Sequence, residues 1–247
     1  MGYYMENFEC KEKLLEPDIK SIVLNHLIEK EILTCSDTVF SEFTVDSASR
    51  RVDLAIAKEG ELWAFEIKSE ADSLARLKGQ ADIYLKYFDK VFVVVAQKHI
   101  QSALEMLPTS IALWGIKGKS VIIKRRGRKK IIKDPRIFIN MMGVSDLIKA
   151  SNRSGVKSES KRREDLVRSL DKISYKALRE AAFEAITQKY KLSSDDFFEK
   201  IKGRDVRSGD IKLLSRFKPV SVIEPANSDR IEDIISALNS IRIDIKG

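Results

Sequence analysis

The chain has 247 residues, of which 43% are hydrophobic and 33% charged, the composition of a water-soluble globular protein with room for one sizeable core and an appendage. Two cysteines (Cys10, Cys35) and two histidines (His26, His99) exclude a zinc finger or a multi-histidine metal centre, so any catalytic metal must be held by carboxylates. A net charge of +8 points to an acidic partner, nucleic acid being the commonest, and no apolar run reaches the length of a membrane span or a signal-peptide core, so a cytoplasmic location is expected.

In chain order, Ile19, Ile22, Val23, Leu27 and Ile28 form one stripe of a helix over residues 17–33, with Pro17 suited to its first turn. Residues 40–45 read as a short strand. Residues 51–57 alternate strictly, turn through Lys58-Glu59-Gly60-Glu61, and alternate again over 62–68, which is a hairpin. Over residues 70–88 Leu74, Leu77, Ala81, Tyr84 and Phe88 then share a helical face, followed by the fully apolar run 91–96, a strand buried on both sides. A short helix over 99–107 ends at Pro108, and a strand follows at 111–114. Residues 121–123 and 131–132 flank a turn, and a helix over 137–150 closes the core.

The Ser/Gly/Lys/Arg-rich stretch 151–163 reads as a linker between a core at 1–150 and a helical C-terminal region at 164–247. Its clearest helices are at 175–190 and 228–242. The fold class is α/β, a mixed sheet flanked by helices.

Side chains alternate along a strand, so Glu66 and Lys68 share a face while Trp63, Phe65 and Ile67 enter an apolar layer. On the preceding strand Val52, Leu54 and Ile56 form the apolar face, which puts Asp53 opposite them. Antiparallel pairing then brings Asp53 near Glu66, with only Ala55 and Ala64 between the polar tracks. Two carboxylates without an Arg between them repel, and a hard divalent cation is the usual remedy. Asp53, Glu66 and the carbonyl of Ile67 make an incomplete oxygen cage suited to Mg2+ or Mn2+, with Lys68 placed to orient or deprotonate an attacking water.

These residues resemble the PD-(D/E)XK nuclease superfamily, whose hairpin carries Asp and then Glu-x-Lys on a restriction-endonuclease-like sheet. More narrowly, the Arg-x-Asp strand, Glu66-Ile67-Lys68-Ser69, Asp72, Arg76 and the Gln80-x-x-x-Tyr84 helix resemble a small bacterial and phage branch of it. The resemblance covers residues 17–115. It implies a metal-dependent phosphodiesterase acting on nucleic acid, with DNA expected, in phage defence or DNA repair. The same fold used as an inactive DNA-binding or partner-binding module is the alternative.

Superfamily members often add an upstream acid, for which Glu42 is the choice and Glu29 and Glu31 the rivals. Gln80 and Tyr84, one turn apart, can look over the same face; packing suits Tyr84 and a phosphate or metal-bound water suits Gln80. Asp72 and Arg76 have the spacing of a helix ion pair, and Ser69 that of a helix cap.

Gly118-Lys119-Ser120 resembles a phosphate-binding loop, but Leu113 stands where the pattern needs glycine, so no nucleotide cofactor is expected. Nine basic residues and no acid lie between Lys117 and Lys133. The densest part, Lys124, Arg125, Arg126, Arg128, Lys129 and Lys130, is placed at a hairpin tip and suits a phosphate backbone. A homodimer is a further expected partner, since many cutters of both strands act as dimers.

Overall fold

The computed structural model describes residues 13–45, 49–156, 160–171 and 173–215, which all belong to one compact unit. The helix read at 228–242 lies outside the described residues. The architecture is α/β, a six-stranded mixed sheet flanked by helices with a C-terminal helical region.

Helix α1 (Glu16–Glu29) leads to β1 (Thr38–Val45), and the hairpin of β2 (Arg50–Lys58) and β3 (Glu61–Lys68) follows. Its turn residues Glu59 (φ 51°) and Gly60 (φ 76°) take the paired left-handed conformation that matches strand twist in a tight hairpin. Next come α2 (Leu77–Tyr87), β4 (Lys90–Ala96), α3 (Ile100–Met106), β5 (Ala112–Lys117) and β6 (Ser120–Arg125). Strand order is β1-β2-β3-β4-β5-β6, with β3, β4 and β5 parallel and the other neighbours antiparallel. Among the described residues 131–132 form no strand.

Helices α4 (Pro135–Met141) and α5 (Val144–Arg153) occupy the place of the single helix expected over 137–150. The break falls at Gly143, whose N–H is taken by Asp146 Oδ2 at 3.1 Å, a fresh helix start. Helices α6 (Arg163–Leu170) and α7 (Tyr175–Ile201) complete the described chain, with a short 3-10 segment at Ser208–Leu214.

Each face of the sheet has its own apolar layer. One holds Phe40, Ala55 and Val93 under Leu77, Ala81 and Tyr84 of α2; the other holds Leu54, Phe65 and Val94 under Ile19, Val23 and Leu27 of α1. The boundary expected at 151–163 does not divide the packing, because α7 belongs to both layers. Ile186 and Tyr190 enter the first, where Tyr190 stacks on Phe40 with ring centres 4.3 Å apart, and Phe197 and Ile201 enter the second. At 27 residues, about 40 Å long, α7 can round the sheet at its β1 edge, where Ser194 Oγ accepts the Val39 N–H at 3.0 Å. An open strand edge is thereby covered.

The basic run is not a hairpin tip. The β5–β6 turn lies at Gly118, and residues 124–130 leave the opposite end of β6 and cross the starts of the parallel strands. Arg128 N donates to Ser110 O (2.7 Å), Lys130 N to Asp89 O (2.8 Å) and Arg125 Nε to Ile111 O (2.9 Å), while Lys129 pairs with Glu61. Gly127 permits this course: its φ is +66°, and a Cβ there would stand 2.3 Å from Ala112 N and 2.8 Å from Ala112 Cα. Gly127→Ala is therefore expected to cost about 3 kcal/mol or more, from left-handed strain and a clash against backbone that cannot rotate away. Thermal melting should fall by roughly 6–12 °C; an unchanged melting temperature would mean the segment does not pack on β5.

Candidate active site

The site forms where β2 and β3 part company. Their ladder ends at Leu54 opposite Phe65, so Asp53 would next face Glu66, but no backbone bridge forms there. Instead Ile67 N donates to Asp53 Oδ2 at 2.7 Å, the carboxylate standing in for a main-chain acceptor. In a strand the N–H and C=O of one residue point to the same side, so the Ile67 carbonyl is directed to this same gap.

A second irregularity lies directly across from Asp53. Ser41 pairs with Leu54 and Phe43 with Val52, which places Glu42 opposite Asp53; Glu42 has φ +59°, rare for a residue with a Cβ and costly inside a strand. The left-handed residue turns both strands over by one position. Phe40 and Phe43, three residues apart, lie in the same layer, and Val52 packs with them rather than with Leu54 and Ile56. The expected single apolar face of Val52, Leu54 and Ile56 is thus broken at Asp53, which lies at the switch between layers.

Glu66 is buried (1% exposed) and held on three sides. Its Oε1 accepts from Lys68 Nζ (2.5 Å) and Gln80 Nε2 (2.6 Å), and its Oε2 lies 2.9 Å from the Tyr84 hydroxyl. Gln80 and Tyr84, the pair one turn apart on α2, orient the Glu66 carboxylate. Tyr84 also packs as expected, and burial followed by the charge of Glu66 pushes its phenol well above the ordinary value. Its hydroxyl additionally lies 2.8 Å from Arg51 O, tying α2 to β2 as well as β3.

Asp72 and Arg76 do not form a helix pair. Asp72 lies in the turn before α2, where its Oδ2 accepts from Ser69 N (2.7 Å) and Ser69 Oγ (2.6 Å), and Arg76 stands at the helix N-cap. Ser69 accordingly closes a turn after Lys68 rather than capping a helix at Glu70.

Of the candidate upstream acids, Glu42 stands opposite Asp53 in the β1–β2 register, whereas Glu29 and Glu31 lie exposed at the far end of α1. Glu42 Oε1 meets Lys20 Nζ at 3.0 Å and its Oε2 meets Arg51 Nε at 2.7 Å. Sequence reasoning missed Lys20 and Glu16, which pair at 2.6 Å on the first turns of α1. The available signal was a lysine on the helix face of Val23, Leu24 and Leu27, with an acid four residues before it.

Asp53 is pushed up to about 8, first by burial, then by the nearby charges of Glu66 and Glu16; the Ile67 N–H and Lys20 only partly oppose this. A carboxylate so reluctant to ionise beside another invites a cation. Among the described residues no group of three or more His, Cys, Asp or Glu converges as a metal cage. Two carboxylates and one carbonyl are nevertheless a donor set suited to a hard ion that keeps several waters. Gln80 Oε1, buried without a partner, is placed to accept a hydrogen bond from a water.

The basic run does not join this cluster. Its partner Glu61 opens β3, and Glu66 is five residues further along, about 16 Å away at strand rise. Lys124, Arg126, Arg128, Lys129 and Lys130 are exposed, while Arg125 is half-buried against Ile111.

The family model described as Bacteriophage P4 protein cII matches residues 9–215. Protein cII of Enterobacteria phage P4 is 30% identical over 213 residues, spanning 84% of this chain and 80% of that protein. Among solved structures, SPO1766, a protein of unknown function from Silicibacter pomeroyi, aligns at 21% identity with a TM-score of 0.38 over 65% of this chain and 97% of its own. The protein of unknown function AF1548 aligns at 14% identity with a TM-score of 0.27 over 70% and 97%.

Proposed function

We propose that this chain, which belongs to the Bacteriophage P4 protein cII family, is a metal-dependent nuclease that hydrolyses phosphodiester bonds, with DNA as the expected substrate. The observation that carries the reading is the Asp53 carboxylate on the Ile67 N–H beside the Glu66–Lys68 pair, at the place where the β2–β3 ladder opens. Asp53, Glu66 and the Ile67 carbonyl would hold Mg2+ or Mn2+. Such an ion supplies Lewis-acid polarisation of a phosphate oxygen and a more acidic water.

The chain's own residues do the rest. Gln80 and Tyr84 fix the Glu66 carboxylate, so that ligand geometry is set before substrate arrives. Lys68, buried beside Glu66, keeps its ammonium close to where negative charge builds on the phosphorus centre, and it can hold the attacking water. The family and fold would suit a role in phage conflict or DNA repair.

The decisive experiment incubates purified protein with supercoiled, linear and single-stranded DNA and with RNA, in Mg2+, Mn2+ or EDTA. Cleavage of one of these forms in metal and none in EDTA supports the reading. Protein that neither binds Mn2+ nor cuts any of them overturns it and favours an inactive module of the same fold.

The exposed part of the basic run would grip phosphates about five nucleotide steps from the cut, given its distance from Glu66 along β3. Replacing Lys124, Arg126, Arg128 and Lys130 with Gln spares Arg125 and Lys129, which are tied to Ile111 and Glu61. The quadruple variant should bind all DNA sequences more weakly and show a shallower salt dependence, by up to about 0.9 per lost phosphate contact. Cleavage at saturating DNA should change little. An unaltered salt slope would remove this segment from the substrate path.

A further inference from the structure

We propose that the open edge of β6 is a self-association surface, where a second copy of this chain adds its own β6 antiparallel about a two-fold axis at Ile122. The inference is independent of the nuclease reading. The sheet ends at β1 and at β6. The β1 edge is covered by α7, whereas among the described residues no main-chain hydrogen bond outside the β5–β6 ladder reaches residues 120–123. Strands β1 to β5 each bury several side chains, but β6 buries none, and Ile123 is 48% exposed. A strand rich in β-branched residues with an unpaired edge is a template for another strand.

The geometry of this edge selects its own copy as the occupant. The two-residue turn Gly118-Lys119 closes on the pair of Lys117 and Ser120, and the closing pair of such a turn exchanges both hydrogen bonds. Alternation then turns the N–H and C=O of Ser120 and Ile122 toward β5, and those of Val121 and Ile123 outward. The outward groups are spaced evenly about Ile122. A second β6 laid antiparallel with Ile122 against Ile122 therefore sets Val121 opposite Ile123 of the second copy, and the reverse, satisfying all four groups on each side. Side chains match in the same register. Val121 and Ile123 stand on the face of Ile116 and Trp114, so their β-branched pairs extend that layer, while Ile122 meets Ile122 on the opposite face.

Charge permits this register. Lys124 falls opposite Ser120 of the second copy rather than opposite a cation. Arg125 falls opposite Lys119, but its Nε donates to Ile111 O at 2.9 Å, which draws the guanidinium back toward its own strand ends. What remains is the overall repulsion of two chains of net charge +8, which salt screens. Self-association should thus strengthen with salt, whereas capture of an acidic strand from another protein, or of nucleic acid, would weaken.

The test is the mass of the full chain by sedimentation equilibrium across the micromolar range. Wild type should pass from monomer to dimer with concentration, and raising NaCl from about 0.1 M to about 0.5 M should favour the dimer. Ile123→Lys should stay monomeric with a nearly unchanged melting temperature, since that side chain is half exposed already. Register is read by crosslinking with Cys10 and Cys35 replaced by Ser. Ile122→Cys brings its two copies about 4.5 Å apart at Cα, within disulfide reach, whereas Ser120→Cys leaves them four residues out of register, about 13 Å. Mild oxidation should link Ile122→Cys at least about tenfold faster than Ser120→Cys. Wild type that stays monomeric at every concentration and salt would overturn the proposal. So would a dimer that Ile123→Lys leaves whole, one that salt dissociates, or equal crosslinking at the two positions.

Discussion

Asp53→Asn should abolish metal-dependent cleavage, with a loss of about 10³-fold or more, while leaving the fold intact. Asparagine matches the protonated acid in shape, and its side-chain oxygen can still accept the Ile67 N–H. What it lacks is the charge needed beside Glu66 to hold a divalent ion. Lys68→Ala should be equally inactive for a different reason, because charge stabilisation at such a position is commonly worth about 3–4 kcal/mol of barrier. Metal binding separates the two variants. Lys68→Ala keeps both carboxylates and removes a competing ammonium 2.5 Å from Glu66 Oε1, so Mn2+ affinity measured by calorimetry should hold or rise. Asp53→Asn should lose most of it. Neither should lose much DNA affinity, since the exposed basic segment is far along β3 from both. Equal metal affinity in the two variants, or residual cleavage in Asp53→Asn near the wild-type rate, would put the ion elsewhere.

The β2–β3 hairpin and the pairing of Glu66 with Lys68 were legible because period-two alternation and a Lys-Glu-Gly-Glu turn are local signals. The helix after it was legible through Leu77, Ala81 and Tyr84, but not its start at Leu77 rather than residue 70. Ser69 and Asp72 satisfy one another in a turn there, a competition with helix that composition does not decide. That Gln80 and Tyr84 grip Glu66 depends on helix and strand meeting in space. Their spacing showed a shared face and nothing of the partner.

Other features were hidden for a common reason. The left-handed backbone at Glu42 switches two strands at once, yet glutamate carries no preference for that conformation. The basic run looked like a hairpin tip because like charges favour exposure. Its course is set by main-chain bonds to Ser110 and Asp89, residues far from it in sequence. Likewise α7 looked like part of a separate unit after a polar linker. Its stripe, read only as far as residue 190, continues through Phe197 and Ile201 into a second layer.

The metal-free protein should lose stability as pH rises from about 5 to 8, opposite to the usual behaviour of a native carboxylate. Asp53 is raised to about 8 by burial and by Glu66 and Glu16, whereas in the unfolded chain it titrates near the ordinary value of 3.8. Between those values the folded protein holds a proton that the unfolded chain has released, so stability falls with pH across the interval and the penalty is complete above the folded value. Asp53 keeps some contact with solvent, which screens part of the effect, so the expected loss is about 2 kcal/mol, or roughly 4–8 °C of melting temperature in EDTA. Asp53→Asn has no such proton to lose. It should match wild type near pH 5 and melt higher at pH 8.5, the difference between the two curves isolating Asp53 from every other titrating group. Metal should reverse the trend, since an ion binds the ionised form: near pH 7, Mn2+ binding should release close to one proton, read by calorimetry in buffers of different ionisation enthalpy. A wild-type minus Asp53→Asn difference that stays flat from pH 5 to 8.5 would show Asp53 already ionised in the folded protein, and the repulsive pair that invites the ion would be gone.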